Sequence, residues 1–309
     1  MKTALVGYTG FVGSNIAAAH PFDGLYNSKN IKEAFGQMPE LLIYAGLPAA
    51  KFLANKAPEQ DMAVCNEAFA NIKAIAPQRL VLISTVDVYK TPCEVDENTP
   101  ILLDDMDAYG KNRARLEQMV RSEYPDALIV RLPGLFGFAL KKNFIFDIIT
   151  VTPSMLKTEK YEELSKASPL VQRLYAKSDN GFYKLCSMNT EDKNALRAFF
   201  AGNNFNALSF TDYRAEYQFY NLANLWRDLA WALAANITLL NIAAEPVSAG
   251  ELYSHITKGG VFENKLATAP VRYDMRSKYS ALYHGENGYL YTKQDILEDI
   301  AMFVRQYNV

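Results

Sequence analysis

TALVGYTGFVG, residues 3–13, is the stretch from which the rest of the chain is read. Thr3 to Gly7 is a short apolar run ending in glycine, the pattern of a buried strand. Phe11 to Ala19 follows as a small-residue helix halted by Pro21. Gly7 permits a tight exit from the strand, and Gly10 lets the backbone approach a pyrophosphate set against the helix N-terminus. Gly13 lets helix pack closely on strand. Glycines at this spacing also occur in purely structural turns. Their place between a strand and a helix makes a dinucleotide loop the better reading, with Gly7, Thr9, Gly10, Phe11, Val12 and Gly13 as candidate cofactor contacts.

Outward from this loop the first half alternates strand and helix. Gly24 to Asn27, Leu41 to Ala45, Arg79 to Ser84 and Ala127 to Leu132 read as strands; 61–75 and 108–121 read as helices. Such alternation predicts an α/β fold, a Rossmann-type doubly wound parallel sheet with helices on both faces. Residues 151–206 show no clear strand and read as short helices and loops. Regularity returns with a strand at 218–222, a helix at 225–235, a strand at 238–242 and helices at 249–257 and 293–307. The expected division is a dinucleotide-binding domain of residues 1–138 with parts of 207–245, and a smaller substrate-binding annex of 139–206 and 246–309.

Composition narrows the function. The 309 residues carry 32 basic and 34 acidic side chains, a net charge of −2, which offers no general attraction to nucleic acid or to an anionic membrane. With 19 Tyr and 17 Phe the chain is not a solvated coil. Cys65, Cys93 and Cys186 form no CxxC pair, and His20, His255 and His284 have no ligand spacing, so no metal site is expected. The uncharged start is not a leader, since its only basic residue is Lys2 and three glycines interrupt it. The uncharged run 229–244 is short for a membrane span and contains Asn236 and Asn241. A cytoplasmic location is the expectation.

Two further clusters carry chemistry. After the second strand the chain reads Tyr26-Asn27-Ser28-Lys29-Asn30, without the carboxylate that would hold the ribose hydroxyls of NAD. Ser28 and Lys29 offer a hydroxyl and a cation to a 2′-phosphate, which points toward NADP with NAD kept open. Thr85 ends the fourth strand on the edge where ligands bind in such sheets. Tyr109 and Arg113, four residues apart, share a helix face. A phenol beside a cation is a group able to exchange a proton with a carbinol or ketone oxygen, and the threonine hydroxyl can hold that same oxygen.

These residues resemble the extended short-chain dehydrogenase/reductase family of nucleotide-sugar epimerases, dehydratases and reductases, over nearly the whole chain. GYTGFVG (7–13) is similar to its GxxGxxG, LISTVDVY (82–89) to its strand-four motif, and YGKNRARLE (109–117) to its YGxSKxxxE. RLPGLFG (131–137) resembles the segment that lines the nicotinamide pocket, and Lys142-Asn143-Phe144 a segment near the substrate diphosphate. The resemblance implies Tyr109 as acid/base, Thr85 orienting the reacting oxygen, and Arg113 anchoring the nicotinamide ribose and lowering the tyrosine pKa. It places Ala45, Gly46, Tyr109, Arg113 and Pro133 on the cofactor, and Thr85, Asp87 and Asn143 on a nucleotide-sugar substrate. It also implies a homodimer paired through helices 61–75 and 108–121. Arg113 departs from the family lysine, and Val86 from the acid that dehydratases use, which argues against dehydration. Three readings stand: an NAD(P)-dependent nucleotide-sugar epimerase, an NADPH-dependent keto-sugar reductase, and a catalytically idle NAD(P)-binding sensor or scaffold.

Overall fold

The computed structural model describes residues 2–104, 106–178 and 181–307. The chain divides into two units, one of residues 1–140, 216–247 and 271–300, the other of 141–215, 248–270 and 301–309.

The first unit is built on six parallel strands: β1 (Thr3–Val6), β2 (Gly24–Tyr26), β3 (Leu41–Tyr44), β4 (Leu80–Thr85), β5 (Leu128–Leu132) and β6 (Leu239–Asn241), in the order β2-β1-β3-β4-β5-β6. Its helices include α1 (Phe11–Ala19), α2 (Lys51–Lys56), α3 (Pro58–Ile75) and α4 (Ala108–Glu123). Because side chains alternate along a strand, each strand feeds two cores. Leu5, Ile43, Val81 and Val130 pack with Ile16 of α1 and with the helix Leu225–Ala234 on one face. Ala4, Val6, Leu42, Tyr44 and Ile129 pack with Cys65 and Ile72 of α3 and Leu116 and Val120 of α4 on the other. Burial on both faces explains the near-continuous apolar runs of β1, β3, β4 and β5. β2 is the exception, an edge strand of three residues that pairs with β1; the link from it to β3 has only a 3₁₀ turn, Ile31–Ala34, as regular structure. Strand order reverses between β1 and β3, so the loops after these two strands diverge and leave a crevice at the carboxyl ends.

The interior also holds charge. Arg131 on β5 and Glu117 on α4 are each 3% exposed. Arg131 donates to Glu117 through Nε and Nη2 (3.1 and 2.6 Å), and through Nη1 to the Tyr89 hydroxyl (2.7 Å). Ser84 on β4 donates to the same carboxylate at 2.5 Å. Tyr89 in turn donates to the Asp96 carbonyl (2.7 Å) and accepts from Asn241 on β6 (3.0 Å), whose backbone amide donates to Glu97 (2.8 Å). His20, by contrast, is used for packing: its ring stacks on Trp226 at 3.7 Å between centroids. All three cysteines are free, and among the described residues no cluster of metal ligands and no helix long and apolar enough to cross a membrane is found.

The second unit corrects the expectation that 151–206 lacks strands. Met155–Lys157, Phe182–Leu185 and Tyr175–Lys177 form an antiparallel three-stranded sheet. Helices Thr158–Ala167, Pro169–Leu174 and Thr190–Ala201 accompany it around a core of Leu156, Leu164, Val171, Leu174, Leu196 and Phe200. In the helix Phe144–Thr150 of this unit, burial pushes the Asp147 carboxyl up to about 7.

Two outcomes are expected. Arg131→Ala leaves the Glu117 carboxylate buried without its cation and costs about 3–5 kcal/mol, read as a lowered urea midpoint. For Asp147 the folded value lies above the unfolded one of about 4. Folding therefore favours the protonated form, and that contribution is present at low pH and lost as pH rises through about 7. Thermal stability should fall between about pH 4 and pH 7, and Asp147→Asn should flatten that part of the profile.

Candidate active site

The glycine loop is shaped by backbone contacts. Gly7 has φ +92°, in the left-handed region, and its amide donates to the Tyr26 carbonyl at 2.7 Å. A Cβ on Gly7 would lie 2.4 Å from the Ala45 carbonyl oxygen, and one on Gly13 only 2.2 Å from that of Gly7. α1 begins at Phe11 with no side-chain cap, and its first intrahelical bond runs from the Ser14 amide to the Gly10 carbonyl at 2.9 Å. The amides of its first turn are thus directed out of the N-terminus. Gly10, at that end, lines a cleft of about 380 Å³ together with Gly7, Thr9, Ser28, Ala45 and Gly46. Such an end, with its partial positive charge, is suited to an anion.

Of the residues named from sequence, Gly7, Thr9, Gly10, Ser28, Ala45 and Gly46 come together in this cleft. Phe11, Val12, Gly13, Lys29 and Pro133 do not line it; Pro133 is buried after β5 and Lys29 is exposed. Asn143 is in the second unit, where it accepts from the Phe146 amide at 3.0 Å and caps the helix Phe144–Thr150. The loop carrying Ser28 is braced by its asparagines: Asn27 accepts from the Lys29 amide (2.9 Å) and Asn30 from the Asn27 amide (2.8 Å). Asn27, Tyr44, Leu47, Pro48, Glu67 and Asn71 also line the cleft, though sequence reasoning did not single them out for it.

The second cluster sits where β4 ends. The Thr85 hydroxyl accepts from the Asp87 amide (3.2 Å), lies 3.5 Å from the Asp87 carboxylate, and stands close enough to the Tyr109 phenol to favour its ionised form. Gly110 brings α4 up against this turn: a Cβ there would be 1.9 Å from the Asp87 carbonyl oxygen. Asn55 of α2 accepts from the Tyr109 amide at 2.9 Å. Burial raises the Tyr109 pKa above its ordinary value. Arg113 and the Thr85 hydroxyl pull the other way without cancelling it, while Asp87 and Asp61 add to the rise.

Arg113 is 3% exposed. Its guanidinium carbon lies 4.0 Å from the Tyr109 ring centroid. One fork is ion-paired with Asp61 of α3, and Nη2 donates to the Pro48 carbonyl at 2.8 Å. Its Nε has no hydrogen-bond partner among the described residues. Asn112 donates to the same Asp61 carboxylate at 2.9 Å. Arg113 therefore stacks on the phenol and ties α4 to α3 and to the loop lining the cleft. Asp61, 52 residues away in sequence, carries no local signal that it is the partner.

Solved structures share this architecture. The dTDP-4-dehydrorhamnose reductase of Yersinia enterocolitica has a TM-score of 0.63 at 15% identity, over 99% of both chains. That of Bacillus anthracis, solved in complex with NADP, has 0.63 at 13% identity, again over 99% of both. The Bordetella bronchiseptica enzyme WbmG, solved with NAD and UDP, has 0.63 at 12%, over 99% of this chain and 94% of that one. No protein-family model matches the sequence, and comparison with curated proteins finds no match. At these identities the likeness is one of fold, and it bears out the expected doubly wound α/β architecture.

Gly110 offers a test with a sign opposite to helix propensity. Ala in a helix is ordinarily better than Gly by about 1 kcal/mol. Gly110→Ala must instead push α4 away from the Asp87 carbonyl, and should lower the urea midpoint by the equivalent of about 1–3 kcal/mol.

Proposed function

We propose that this chain is an NAD(P)-dependent oxidoreductase of a nucleotide-activated sugar, working as a keto-sugar reductase. The observation that carries this is one sheet edge bearing both an uncapped helix N-terminus beside the glycine loop and the Thr85–Tyr109 pair. The solved reductases with this fold, one holding NADP, support the same reading.

The cleft fits a dinucleotide. The first-turn amides of α1 would hold the pyrophosphate, and Ser28 with Lys29 would meet a 2′-phosphate, which favours NADP. Bound in reduced form, the cofactor supplies hydride to a carbonyl carbon. Tyr109 would donate its phenolic proton to the carbonyl oxygen, so that hydride and proton together convert C=O to CH–OH. Thr85 would hold that oxygen through its hydroxyl. Arg113 would stabilise the phenolate left behind, acting across the ring face at 4.0 Å, and Asp61 holds the guanidinium there.

The acid role agrees with the state of the phenol. An acid must be protonated before it can give its proton, and burial keeps Tyr109 protonated to higher pH than a free phenol. Reduction should hold its rate through neutral pH and fall only as pH rises beyond the ordinary phenol value of about 10. Tyr109→Phe should lower kcat by about 10²–10⁴ while leaving the affinity for NADPH nearly unchanged. One observation favours the idle binder as a second reading: the fork of Arg113 is engaged by Asp61 and Pro48. Full activity in Tyr109→Phe would defeat the acid role, and no thermal shift with any nicotinamide dinucleotide would defeat the cofactor reading.

A further inference from the structure

Beside the two reacting hydroxyls stands an ion pair that the chemistry above does not use. Lys51, at the start of α2, places Nζ 2.8 Å from Asp87 Oδ1. The other oxygen of Asp87 is the one 3.5 Å from Thr85 Oγ1. The Lys51 side chain is 44% exposed and that of Asp87 21%. Tyr273, Asp107 and Tyr109 are the titratable groups within electrostatic reach of the pair. As a source of stability such a pair is worth little, about 0–1 kcal/mol. It is reachable from solvent, among the described residues its carboxylate bonds Lys51 and the Thr85 hydroxyl, and it offers one donor and one acceptor side by side.

We infer that Lys51 and Asp87 are the specificity residues for a hydroxyl on the carbon next to the reacting carbonyl. This rests on the proposed reductase reading. With the carbonyl oxygen on Thr85 and Tyr109, an oxygen on the adjacent carbon would come within reach of Asp87, whose Oδ2 is 3.5 Å from Thr85 Oγ1. That hydroxyl donates its proton to the Asp87 carboxylate and accepts from the Lys51 ammonium. A neutral pair suits a neutral polyol and gives no preference for a carboxylated sugar. A substrate lacking this hydroxyl leaves the carboxylate and the ammonium without their ligand partner, which is how hydroxyl-binding sites reject deoxy analogues.

The test uses the full chain with NADPH and with NADH. The probes are the dTDP-, GDP- and UDP-linked 4-keto-6-deoxyhexoses, each paired with its 3-deoxy analogue. Wild type should prefer the 3-hydroxy member of a pair by at least about tenfold in kcat/KM. Lys51→Met and Asp87→Asn should each lower kcat/KM for the 3-hydroxy member more than for its 3-deoxy partner, so that the preference falls toward one; Lys51→Arg, which keeps a donor and a charge, should retain it. Equal rates on the two members in wild type overturn the inference. So does a variant that lowers both members equally, since that is how a purely structural pair would behave. If wild type turns over no probe with either cofactor, the reductase reading falls and the inference with it. That result is distinguishable because it precedes any comparison of variants.

Discussion

The pairing of Glu117 with Arg131 is the constraint on which the site depends. Both side chains are almost sealed from water, and neither charge can stay there unpaired. The pair joins α4 to β5, and Ser84, one residue before Thr85, donates to the same carboxylate. Tyr89, three residues beyond the turn Val86–Val88 has begun, is held by Arg131 from the other side. The two elements that carry Thr85 and Tyr109 are thereby fixed to one buried centre. An apolar replacement would pack as well but would not dictate which way α4 rotates about its axis, and that rotation decides whether Tyr109 meets Thr85.

Arg113 follows from the same geometry. A lysine is a single flexible point charge; an arginine is a planar fork that stacks and bonds in two directions at once. Here the plane covers the Tyr109 ring, one fork meets Asp61, and Nη2 meets Pro48. The residue thus connects the phenol to α3 and to the loop that lines the cofactor cleft. Burial is the largest influence on the phenol, and Asp87 and then Asp61 add to it against Arg113, so the Tyr109 pKa rises.

The main sheet was legible because its strands are buried on both faces, and a run such as LVLIS has no other economical place. The glycine loop was legible because its spacing is local, and so were Thr85 and Tyr109, each tied to a strand end or a helix face. The strands of the second unit escaped notice because they are three or four residues long and carry Lys157, Lys177 and Lys184 on a sheet with a wet face. Asp61 and Lys51 escaped for another reason. Their partners lie 52 and 36 residues away, and nothing in the spacing of a charge along its own helix says which distant charge it will meet.

The pattern of charges around Tyr109 bears on what kind of catalyst can form here. Two carboxylates, Asp87 and Asp61, act on the phenol to keep its proton, and each is matched by a cation, Lys51 and Arg113. A base for alcohol oxidation needs those cations to prevail, so that the phenolate is populated near neutral pH. In this arrangement each cation is held by its own carboxylate, and the burial of the phenol opposes its ionisation. The proton therefore stays on Tyr109 until a stronger base, a developing alkoxide, is set against it. On the proposed reading, the two ion pairs and the burial together make the site an acid that waits for a ketone.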